Sequence, residues 1–217
     1  MPTLPNASTT SHRFAEQGSN PDTPAAGYVR LFFTTLGAFI KNSAGNVIPV
    51  QTFKRELVVM ANEMWPSTNE GSAALATSES ATNKQNTRSL DFDGVGATDE
   101  KAEFTVIMPD DWNAGTITYK IWWTAAGGSA AQTVEWNVQA RAYANDDAID
   151  QAWGTEIAVS DALIATGDIH RTSESDALTV GGTPSAGEIV QFRIYRDVSD
   201  DTLAADAKLL GIKLYFT

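Results

Sequence analysis

The side chains able to do chemistry are few and widely spread. Cysteine is absent, which removes thiolate nucleophiles, sulfur-ligated metals and disulfides together. The histidines are His12, near the start, and His170, in Ile169-His170-Arg171-Thr172 at the head of an expected strand. A Ser–His–Asp triad built on His170 would need a marked nucleophile, and the chain has no Gly-x-Ser-x-Gly elbow. His170 is therefore expected at a surface or an interface. No catalytic residue is assigned, and the chain is expected not to be an enzyme.

Carboxylates are more abundant. Asp110-Asp111, Asp146-Asp147 and Asp200-Asp201 form pairs, and Asp91-Phe92-Asp93-Gly94 begins like a calcium loop. That loop needs a carboxylate at its twelfth position, where Ala102 stands. These residues read as solvated turn aspartates, so no metal and no cofactor is assigned. A glycosidase needs two placed carboxylates, one with a raised pKa, and no spacing here indicates such a pair. The glycine-rich pieces match neither a P-loop nor a dinucleotide fingerprint and serve as hairpin punctuation.

Tryptophan is the remaining signal, with six in 217 residues. Trp123 and Trp136 lie in phase with the apolar positions of their strands. Trp122 points the other way, beside Thr118 and Lys120. An outward Trp on a sheet either stacks on a sugar ring or is buried by a second subunit. The subunit is preferred, because aromatics are enriched at interface cores.

The elements that would position these groups are strands. Period-two alternation runs through Phe104 to Met108, Ile117 to Trp123, Val134 to Ala142, Val190 to Tyr195 and Leu210 to Phe216. Turn signals such as Asn113-Ala114-Gly115, Gly127-Gly128-Ser129 and Gly181-Gly182-Thr183-Pro184 separate them. Asp146 to Trp153 and Ser160 to Thr166 are each expected to form one helical turn. The fold class is all-β: an antiparallel jelly-roll or Greek-key sandwich over residues 90–217. Before it, residues 1–27 form an extended arm carrying four of the eight prolines, and residues 28–66 a small β-module. Lys54 to Trp65 reads as helix or strand, and the polar stretch 67–89 as a loop or linker.

Acidic residues outnumber basic ones 27 to 15, a net charge of −12 that repels a phosphate backbone, and no basic cluster offsets it. Nucleic acid is therefore not an expected partner. Nor is a membrane, for want of a run of about 18 apolar residues. The first residues show no secretory signal, so synthesis in a cytoplasm is expected.

Three stretches carry a resemblance. Met108-Pro109-Asp110-Asp111-Trp112-Asn113-Ala114-Gly115-Thr116-Ile117-Thr118, followed by Trp122-Trp123-Thr124, is similar to a motif of virion structural proteins from tailed bacteriophages. So is the ending, from Phe192-Arg193-Ile194-Tyr195-Arg196-Asp197 through Asp200-Asp201-Thr202-Leu203 to Ala205-Asp206-Ala207-Lys208-Leu209-Leu210-Gly211-Ile212. Tyr28 to Val50 resembles small β-modules that open phage fibre-like and decoration-like proteins. The resemblance implies a homotrimeric jelly-roll protein on the outside of a virion, made in the host cytoplasm. Its arm would hold a major capsid protein or a tail component, with Leu4 and Phe14 as candidate anchor residues. Two roles follow: a capsid decoration or cement protein, taken first, and a tail- or head-fibre module binding host surface glycans, with Trp122 as a stacking candidate.

Overall fold

The computed structural model describes residues 19–34, 37–50, 55–69, 71, 73–96 and 98–216. His12 and the anchor candidates Leu4 and Phe14 lie outside the described residues. Two compact units divide the chain, Met1–Phe53 and Lys54–Thr217.

In the first unit, β1 (Val29–Thr34), β2 (Gly37–Asn42) and β3 (Val47–Pro49) form an antiparallel meander in that order. Asn42 makes the second turn: its Oδ1 accepts from the backbone N–H groups of Ala44 and Asn46, and Gly45 takes φ +86°. Phe32 is buried and stacks on Phe39 with ring centroids 5.6 Å apart. Lys41 Nζ donates to the Pro21 carbonyl at 2.8 Å, which ties the described end of the arm to its own meander.

The second unit is the sandwich. Its strands are β4 (Arg55–Met60), β5 (Trp65–Pro66), β6 (Ala74–Glu79), β7 (Asn86–Phe92), β8 (Lys101–Ile107), β9 (Ile117–Ala125), β10 (Thr133–Tyr143), β11 (Ile157–Ala162), β12 (His170–Arg171), β13 (Val180–Gly181), β14 (Ile189–Arg196) and β15 (Ala207–Phe216). One sheet runs β11-β10-β14-β8-β5, with β13 also on β10. The other runs β12-β9-β15-β7-β6, with β4 on the far half of β15. All pairings are antiparallel except the short β10–β13 bridge. Consecutive strands cross repeatedly between sheets, which makes the expected jelly-roll sandwich.

The five alternating segments become β8, β9, β10, β14 and β15, and their apolar faces meet in one core. Phe92 packs edge-on against Trp136 across the sheets, at 5.2 Å. Tyr119 reaches across to donate from its hydroxyl to the Ile157 carbonyl at 2.5 Å, and Trp123 Nε1 donates to Asp161 at 2.8 Å. Burial drives the Tyr119 hydroxyl far above its ordinary pKa, so it stays a donor.

The structure corrects four readings. Residues 55–66 belong to the sandwich rather than to the N-terminal module, because β4 pairs with β15 and β5 with β8. The polar stretch 67–89 is no linker: β6 and the start of β7 form a hairpin there. β6 is an edge strand exposed along most of its length, so it needs no apolar alternation to exist. Ser160 lies within β11 instead of capping a helical turn, and no helix forms over 146–153. Finally, a bulge at Leu210 breaks the simple alternation of β15: Leu209 pairs with Trp123 and Gly211 with Trp122. Leu209 and Ile212 therefore turn inward while Leu210 joins the outer face. Gly211 is required there, since a Cβ would sit 2.9 Å from the Val59 carbonyl oxygen and hold β4 away.

Candidate functional site

The sheet containing β10, β14 and β8 turns its odd-numbered side chains outward, and the register sets them in rows. Gln139 pairs with Arg193 and Arg193 with Glu103; Arg141 pairs with Gln191; Asn137 pairs with Tyr195. Most outward positions in the middle of this face carry a side chain that hydrogen-bonds to a neighbour.

These groups hold one another. The Gln139 side-chain oxygen accepts from Arg193 Nε at 3.1 Å and Nη2 at 2.6 Å, which fixes the guanidinium plane. Trp153 lies against that plane, its ring centroid 4.7 Å from the guanidinium carbon. Gln191 donates to Glu103 at 2.6 Å, and the Tyr143 hydroxyl donates to Gln191 at 3.2 Å. The Tyr195 hydroxyl donates to Glu156 at 2.6 Å. Burial raises the pKa of both tyrosines, with Glu156 adding to the effect at Tyr195, so both hydroxyls keep their protons at neutral pH.

Trp153 comes from the loop after β10, which folds back over the sheet. The carbonyls of Ile149 and Ala152 accept from Tyr143 and Arg141, and Gly154 N–H donates to the Ala140 carbonyl at 3.0 Å. Gly154 crosses β13 so closely that a Cβ would collide with the Thr179 carbonyl and approach Gly181 N to 2.6 Å. A glycine is what lets the loop lie flat and deliver Trp153 onto Arg193. Trp153, Arg193, Gln139, Gln191 and Glu103 are all half-buried: anchored, yet reachable.

The residues singled out from sequence fall elsewhere. Trp122 sits on the outer face of the opposite sheet, in an apolar groove of about 390 Å³ with Val58, Met60, Ile169, Leu210 and Lys213. His170 is buried rather than superficial: its ring packs 4.7 Å from that of Trp123, and Nε2 lies 3.1 Å from the Ala165 carbonyl oxygen. Asp91 is not a turn aspartate but a strand residue paired with Lys208 and accepting from Ser89 Oγ at 2.6 Å. Among the described residues no group of three or more His, Cys, Asp or Glu side chains is placed to hold a metal ion.

Two of the three stretches behind the virion resemblance are structural in this fold. Met108 and Trp112 are buried, Trp112 packs edge-on against Phe216 at 6.5 Å, and Asn113 Oδ1 accepts from Gly115 N–H at 3.0 Å. In the second motif Arg196 is wholly buried, paired with Asp201, and donates to the carbonyls of Phe92 at 3.1 Å, Ala205 at 2.8 Å and Leu203. Arg196 is in phase with Val190, Phe192 and Ile194, so its inward direction was readable from the alternation.

No protein-family model matches the chain, and comparison with curated proteins finds no match. Solved structures with a similar fold include the Arthrobacter globiformis T6 isomalto-dextranase complexed with panose, at 16% identity and a TM-score of 0.49. The match covers 82% of this chain and 25% of that one, so this chain spans about a quarter of the enzyme's length. Another is the CBM36-1 domain of a multidomain xylanase from the hindgut metagenome of Trinervitermes trinervoides, at 9% identity, TM-score 0.40, covering 74% of this chain and 96% of that domain. A third is the family 11 carbohydrate-binding module from Clostridium thermocellum in complex with a mixed-linked tetrasaccharide, at 10% identity, TM-score 0.41, covering 73% and 94%. At these values the likeness carries no inference about ligand.

Proposed function

We propose that the chain is a non-catalytic, glycan-binding β-sandwich module that uses the face built on β10, β14 and β8. The observation that carries this reading is the Trp153–Arg193–Gln139 stack, with Gln191 and Glu103 in the adjoining positions. A sugar ring offers an apolar face and a rim of vicinal hydroxyls. A half-buried indole covers the first, and planar amide, carboxylate and guanidinium groups match the second. Rigid neighbouring strands hold Gln139, Arg193, Gln191 and Glu103 in register, and the loop tied down at Gly154 sets Trp153 on them, so little ordering is needed on binding.

The resemblance to tailed-phage virion proteins supplies a setting: a receptor-binding module on the particle exterior, recognising host surface glycans. The decoration reading keeps one observation in its favour, the apolar Trp122 face, which suits a protein contact better than a sugar. Gold-labelled antibody on purified particles separates them, with label over the head for decoration and at a fibre for the adhesin.

Binding is tested by affinity electrophoresis and calorimetry of the full chain against dextran, xylan and lipopolysaccharide. Retardation by at least one of them is expected, and Trp153→Ala weakens it by about tenfold, the loss of about 1–2 kcal/mol of stacking. No binding to any of the panel, or undiminished binding by the variant, sinks the assignment of this face.

A further inference from the structure

The opposite outer face has a different chemistry. Outward positions of β4, β9 and β15 bring Val58, Met60, Trp122 and Leu210 together, and Ile169 borders them just before β12. Val58 is 55% exposed, Met60 47% and Ile169 71%. A contiguous apolar patch on a sheet face is costly to leave in water and marks a contact surface.

We infer that a second copy of this chain docks on this face and buries Trp122. Two observations select that occupant. The first is polarity: among the described residues the one charged side chain lining the groove is Lys213, and it is engaged by Glu56 and lies 5.3 Å from the centre of the Tyr215 ring. A sugar or other polar ligand would lose its hydration here for few hydrogen bonds in return, whereas an apolar protein surface loses nothing.

The second is charge. The chain carries −12, so most approaches of one copy to another are repulsive. On this face the charges are matched: Glu56 with Lys213, Glu174 with Lys120 and Asp91 with Lys208. Arg171, which pairs with Trp122 across β12 and β9, adds a positive charge. With exposed Asp168 beside Ile169 offsetting Arg171, the ground around the apolar patch is close to neutral, so an equally acidic second copy meets less repulsion here than the chain's overall charge would impose. Apolar centre and paired polar rim are the anatomy of a subunit contact.

The test is sedimentation equilibrium of the full chain and of Val58→Glu/Ile169→Glu. Both substituted side chains are more than half exposed, so the circular dichroism melt should be retained. The wild type is expected above the monomer mass, and the double variant at the monomer mass. A second readout does not depend on charged substitutions. The chain has no cysteine, so Met60→Cys provides a unique thiol, and its rate of maleimide addition should fall severalfold as protein concentration rises. A monomeric wild type, a double variant that keeps the wild-type mass, or a concentration-independent maleimide rate would each overturn the inference. Glycan binding at the other face is expected to be unchanged in these variants.

Discussion

The two outer faces of the sandwich arise from the same backbone device, the outward positions of antiparallel strands, and present opposite surfaces. At the centre of β10, β14 and β8 outward polar side chains hold one another: Gln139 holds Arg193, Gln191 holds Glu103, and a returning loop sets Trp153 over the guanidinium. On β9, β15 and β4 the charged residues are taken up in pairs, Lys213 of the groove among them, leaving Val58, Met60, Trp122 and Leu210 with nothing to bond. The fold supplies two equivalent addresses, and side-chain chemistry decides what each receives. A pre-formed polar lattice suits a ligand made of hydroxyls; an apolar floor suits another protein surface.

The largest effect is expected where both faces share a support. Arg196 closes β14 in one sheet and donates to the Phe92 carbonyl at the end of β7 in the other. Arg196→Met leaves the Asp201 carboxylate and the carbonyls of Leu203 and Ala205 buried without their donor. A loss of about 3–5 kcal/mol is expected in urea unfolding. Near the lowered melting temperature, glycan binding and self-association should fail together. Loss of one with retention of the other would show that the faces do not share this frame.

Gly154→Ala should separate the faces. The added Cβ cannot fit against the Thr179 carbonyl, so the loop must lift and Trp153 must leave Arg193. A stability loss of about 1–3 kcal/mol is expected, with polysaccharide affinity reduced at least tenfold and the sedimentation mass unchanged. Trp122→Ala is milder and works in reverse. The subunit contact should weaken by about tenfold, near 1.4 kcal/mol, while polysaccharide retardation persists. Identical effects of the two variants on both assays would erase the distinction between the faces.

Much of the frame was legible in the sequence. The strands from Phe104, Ile117, Val134, Val190 and Leu210 show period two because each has one wet and one dry face. β6 did not show, since an edge strand wet on both sides obeys no alternation, and β4 stayed ambiguous between helix and strand. The Leu210 bulge is a slip of backbone register that no side-chain pattern announces. Of the faces, the outward Trp122 could be read from its phase. The Trp153–Arg193 stack could not, because the two residues meet only through the β10–β14 register and a loop that folds back at Gly154.

The smallest effect is a slope in pH. Burial raises the pKa of Glu135, outward on β10 near Asp197, Asp200 and Asp201, although a hydrogen bond from Ser160 partly opposes the shift. Asp99 and Glu100 are raised for the same first reason. A carboxyl raised in the folded state binds its proton more tightly there than in the unfolded chain. Such a group costs stability above its folded pKa, and that cost is relieved as pH falls through the folded value toward the ordinary carboxylate range of about 4. The melting temperature should therefore rise modestly on acidification from neutrality to about pH 5, and Glu135→Gln should flatten part of the rise. The groove flanked by Lys213–Glu56 and Lys120–Glu174 contains none of the three raised carboxyls, so the sedimentation mass should not follow this slope. A melting temperature that falls steadily from neutral pH, or a wild-type slope in Glu135→Gln, would show that burial does not hold these carboxyls above their ordinary pKa.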